Sequence, residues 1–119
     1  MDTATDDISQ LQLRWARLMD QLRKQFNKVP NLEAILFLIG VRELGKGTHK
    51  WTKEQKVDLM HVAICAILAP AGYFELTHQD QDGWPHYEAR EALPAGDIFS
   101  QEIFLKSHIV DYFADIYDI

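Results

Sequence analysis

One run of residues has the types and spacing to do chemistry. Glu54, Asp58, His61 and Cys65 follow at intervals of four, three and four, which on a helix places them on one face. An acid, an imidazole and a thiol in a row could hold a metal ion through Asp58, His61 and Cys65, or let His61 lower the pKa of the thiol. A single helix cannot close a tetrahedral site, so the fold would have to bring His78, His86 or His108 to it. The competing reading makes this stripe the wet face of a helix, with Cys65 near its buried end as a small hydrophobe. His108, Asp111 and Asp115 match no metal spacing and read as the solvent face of another helix.

A second concentration is Trp84, His86 and Tyr87, which on a short strand could form a ligand lip or a docking surface for a partner protein. Alternation puts Trp84 and Tyr87 on opposite faces, so one of them is assigned to packing. A third is basic. Lys46, His49, Lys50, Lys53 and Lys56 cluster on an otherwise acidic chain, and could contact an anion or nucleic acid, or line a solvated loop.

Other patterns fail on inspection. His78 to Gly83 has acids spaced as in a calcium loop, but His78 takes the first ligand position and Ala89 the twelfth, where a bidentate Glu is required. Gly45-Lys46-Gly47-Thr48 has the ingredients of a phosphate cradle without its order. Hydrolase, zincin and dinucleotide fingerprints are missing too. No cofactor and no catalytic residue are assigned, and the balance favours a non-enzyme.

The elements that must position these groups are readable. Ile8, Leu11, Trp15, Leu18, Leu22 and Phe26 form a stripe on a first helix from about Asp7 to Asn27. Pro30 breaks it, and Asn31 caps a nearly all-apolar second helix, Leu32 to Leu44, closed by Gly45. Thr52 with Gln55 is a capping box that starts a third helix at Lys53, running to about Ala69 before Pro70 and Gly72. Tyr73 to His78 and Trp84 to Arg90 alternate as two strands around Asp82-Gly83. Asp97 or Ser100 caps a last helix running to about Tyr117. The expected fold is thus mostly α, four helices with one β-hairpin between helix 3 and the last helix, in a single domain of 119 residues.

The last helix is apolar over much of its circumference. Phe99, Ile103 and Phe113 fall on one stripe and Ile109 and Ile116 on its neighbour. A helix this apolar in a small domain predicts a homodimer through these five residues. The single cysteine forms no intramolecular disulfide, the N-terminus lacks the basic and apolar pattern of a secretory signal, and no stretch has the ~20 apolar residues of a membrane span. A cytoplasmic protein away from the membrane is expected.

Charge splits along the chain. Met1 to Gly72 carries ten Lys and Arg against eight acids, whereas Tyr73 to Ile119 carries two against ten. The order helix, helix, basic loop, helix, a Gly-Tyr-Phe-Glu strand, an Asp-Gly turn, a His86-Tyr87-Glu88 strand and a long helix resembles the winged-helix family over about residues 31–93. That resemblance implies a DNA-binding regulator in which Lys50, Lys53, Lys56 and His49 contact DNA from the third helix and the hairpin is the wing. Glu75, Asp80, Asp82 and Glu88 make that hairpin acidic, which opposes phosphate contact. The sequence therefore favours a non-catalytic protein-interaction module forming a homodimer, then a winged-helix-like DNA binder, then a metal- or small-molecule-binding protein using the polar stripe of helix 3.

Overall fold

The computed structural model describes residues 3–46 and 50–119. Four helices and one two-stranded antiparallel hairpin follow in the order α1 (Thr3–Phe26), α2 (Leu32–Leu44), α3 (Lys53–Leu68), β1 (Phe74–Gln79), β2 (Pro85–Ala89) and α4 (Ile98–Phe113). The fold is mostly helical, with the hairpin between α3 and α4. Among the described residues no helix is long and apolar enough to cross a membrane.

The chain divides into two compact units. One consists of Met1–Pro30 and Pro94–Ile119, the other of Asn31–Leu93. In the first, α1 lies against α4. Leu18, Leu22, Ile109, Val110 and Phe113 are buried there. Arg14 pairs with Asp111 at 3.0 Å, the Lys106 ammonium sits 4.9 Å over the Trp15 ring, and the Tyr117 hydroxyl donates to Gln25 Oε1. α1 stops where Asn27 turns left-handed at φ 63°, its N–H donating to the Arg23 carbonyl at 2.8 Å. Asn tolerates that conformation better than most residues.

The second unit is built on α2 against α3. Asn31 Oδ1 accepts the Ala34 N–H at 2.8 Å, and Gly45 closes α2 at φ 74° with its N–H on the Val41 carbonyl. At Thr52 both arms of the capping box are made, Gln55 N–H to Thr52 Oγ1 at 3.0 Å and Thr52 N–H to Gln55 Oε1 at 2.9 Å. Ile35, Leu36, Ile39 and Leu44 of α2 and Leu59, Val62, Cys65, Ile67 and Leu68 of α3 are buried. The helices meet at Gly40, where an added Cβ would run into the backbone carbonyl of Leu59. Both strands lean on α3. Their pairing follows one register from Phe74↔Ala89 to Leu76↔Tyr87, then shifts so that His78, not Thr77, faces His86.

Two helix boundaries differ from expectation by several residues. α1 starts at Thr3 rather than Asp7. α4 is capped by Asp97, whose carboxylate accepts the Ser100 N–H at 2.8 Å, but ends at Phe113 and not Tyr117. Asp115 and Asp118 would sit at the negative end of the helix dipole. The chain tightens instead, with the Ile116 and Tyr117 N–H groups both donating to the Phe113 carbonyl.

Candidate functional site

The hairpin turn is organised by one carboxylate. Asp80 Oδ1 accepts the backbone N–H groups of Asp82 at 2.9 Å and Trp84 at 3.0 Å. Its other oxygen, Oδ2, accepts from His86 Nε2 at 2.9 Å. The left-handed Gly83, at φ 86°, lets the chain turn tightly enough for all three. The His86 bond, opposed next by burial and helped by the Trp84 and Asp82 backbone N–H groups, holds the Asp80 carboxyl below the usual carboxylate range. An ionised carboxylate only accepts, so His86 donates to it from Nε2.

The second imidazole is fixed by Thr77. Its hydroxyl donates to the His86 carbonyl at 3.0 Å and so accepts from His78 Nδ1, also at 3.0 Å. The register shift brings the two rings face to face, centroids 4.7 Å apart and planes 2° from parallel.

Across from the turn stands the polar stripe of α3. Asp58, His61 and Val62 form one wall of a cleft of about 290 Å³, and Asp80, Trp84, Pro85 and His86 form the other. Trp51, just before α3, braces the Trp84 ring edge-on, centroids 6.2 Å apart. Asp58 and His61 are exposed on the helix surface while Pro85 is buried. The cleft therefore has an apolar floor and polar walls.

The candidate metal ligands separate. Asp58 and His61 enter the cleft. Cys65 is buried, 3.7 Å from His61 Nε2, and burial pushes its thiol above the ordinary cysteine range, which disfavours the thiolate that binds metals or attacks substrates. Among the described residues no three His, Cys, Asp or Glu side chains are arranged to hold a metal ion. Of the ligand-lip candidates, Trp84 and His86 line the cleft. Tyr87 is half-buried instead, its hydroxyl pushed upward by desolvation and then by the charges of Glu43 and Cys65.

The basic candidates lie before and on the first turn of α3 and, in the case of Lys46, beside the hairpin turn. Lys50, Lys53 and Lys56 are exposed. Lys46 reaches the hairpin turn, where a Cβ on Gly83 would lie 3.8 Å from its Cε. His49 lies outside the described residues. The one arginine of the hairpin region, Arg90, is engaged by Glu75 at 2.6 Å and Glu88 at 3.4 Å.

The residues expected at a dimer interface are divided as well. Phe99 is 66% exposed and Ile116 40% exposed, but Ile109 and Phe113 are buried within the chain and serve packing instead. Ile103 joins Phe99, Ile8, Leu11 and Trp15 along a groove of about 200 Å³ between α1 and α4, edged by Glu102 and Lys106. The α1 half of this groove was not singled out as a surface in the sequence, where Ile8, Leu11 and Trp15 look like one core stripe.

No protein-family model, curated protein or solved structure matches the chain.

Proposed function

We propose that this chain is a non-catalytic, cytoplasmic interaction module that works as a homodimer, with the α1–α4 groove covered by the same groove of a second copy. The observation that carries this reading is the exposure of Phe99 at the edge of an apolar groove lined by Ile8, Leu11, Trp15 and Ile103. Large side chains grouped around a concave apolar surface leave water unfavourably ordered until something covers them.

Self-association is favoured over an unlike partner by the charges at the rim. Glu102 and Lys106 stand one turn apart on α4, 3.2 Å from each other. A two-fold axis across the groove would set each copy's lysine opposite the other's glutamate, which is the complementarity an isologous interface needs. A groove of about 200 Å³ is also of a size to receive one aromatic ring, which the Phe99 of a second copy would supply.

Light scattering on the eluting protein is expected to give twice the chain mass at high micromolar concentration, and Phe99→Glu is expected to return the chain mass with an unchanged circular dichroism spectrum. A strict monomer over the whole range overturns the reading.

The element order of the second unit supports a second reading, a winged-helix-like DNA binder. Its span, Asn31–Leu93, holds a helix, a helix and a hairpin in one compact unit, with Lys50, Lys53 and Lys56 exposed. The hairpin supplies little for phosphate, since Arg90 is held by two glutamates. Fluorescence-polarisation titration with random duplex DNA decides this reading. Binding that weakens with salt and on Lys50→Glu and Lys53→Glu supports it, and no binding at low salt removes it.

A further inference from the structure

We propose that the cleft between α3 and the hairpin turn binds a small organic cation bearing a primary ammonium group, with Asp58 and Asp80 balancing its charge and the Trp84 indole receiving its alkyl portion. The cleft is lined by two carboxylates and two imidazoles, with no lysine or arginine among its lining residues. Asp80 is ionised at neutral pH and anchored by backbone N–H groups, so its position does not have to be fixed on binding. Asp58, on the opposite wall, enters no ion pair among the described residues, so its charge is available to a ligand.

Size and spacing select the class. The polar groups share one cleft, yet no three of them are arranged to hold a bare ion. A ligand several atoms long can reach from one wall to the other where a metal ion cannot. Val62, Trp84 and Pro85 give the alkyl portion of such a ligand an apolar bed. At about 290 Å³ the space lies at the small end of ligand pockets, which suits an aminoalkyl compound.

The test is an NMR titration of the full chain with n-butylammonium chloride at neutral pH, with n-butanol in matched sodium chloride as the uncharged control. The ammonium is expected to shift the Trp84 indole and the His61 and His86 ring signals saturably in the millimolar range, and the alcohol is not. Asp58→Asn, a conservative change at an exposed position, is expected to weaken binding about tenfold, as loss of one charge-assisted contact does. Equal binding of the alcohol, an unchanged affinity in Asp58→Asn, or saturation of these signals by zinc chloride but not by the ammonium would each overturn the proposal.

Discussion

Asp80 shows how one side chain can set the geometry of a whole turn. Three hydrogen bonds converge on it, and a neutral amide could accept only part of that set. Position 108 makes the opposite use of its surroundings. Burial lowers the His108 pKa below its ordinary 6.5, opposed in part by the nearby Asp111 carboxylate, and the ring packs edge-on to Phe104 at 4.7 Å. The folded chain therefore holds this imidazole neutral, whereas the unfolded chain takes up its proton near pH 6.5. Its contribution to stability is complete above that pH and is lost as the pH falls from there towards the lowered folded value. Urea unfolding is expected to give a lower midpoint at pH 5.5 than at pH 7.5, with His108→Gln reducing the difference. Such a shift was out of reach of the sequence, which assigned His108 with Asp111 and Asp115 to a solvent face. The three- and four-residue spacing placed His108 on the right element, but its burial depends on which side of α4 faces α1.

Among the elements, α2 and α3 owe their fit to a missing side chain. Gly40 is buried in mid-helix, and α3 crosses so closely there that the Leu59 carbonyl occupies the space a Cβ needs. In an exposed helix the change from Gly to Ala stabilises by about 1 kcal/mol. Here the sign reverses, because two backbones must part, and Gly40→Ala is expected to cost roughly 2–3 kcal/mol, read as a lower denaturant midpoint with an unchanged slope. Thr52→Ala, which removes one arm of the α3 capping box, is expected to cost about 1 kcal/mol in the same assay. The cap was legible from Thr52 and Gln55 alone because it is a contact over three residues. The role of Gly40 was not, since nothing near it in the chain says that Leu59 will lie against it. The hairpin divides in the same way. Asp82-Gly83 marks its turn, while the bulge that brings His78 rather than Thr77 opposite His86 leaves no signature.

At the scale of the whole molecule, the proposed dimer makes stability depend on concentration. Anything that binds only the folded state raises its melting temperature by mass action. The transition is accordingly expected to move upward as the chain is concentrated, and to stop doing so in Phe99→Glu. The division into two units bears on where function can sit. One unit joins the first and last helices, which lie at opposite ends of the sequence, and carries the apolar groove. The other is continuous from Asn31 to Leu93 and carries the polar cleft. By itself the sequence determined the number and order of the helices, the caps of α2 and α3 and the hairpin between α3 and α4, because periodicity, capping and turn chemistry act over a few residues. Only the tertiary structure decided that Cys65, Ile109 and Phe113 are buried, that Asp58 and His61 face Asp80 and His86, and that α1 shares a groove with α4. Those facts arise where distant segments meet, and the free energy that brings them together is burial of apolar surface, which has no direction along the chain.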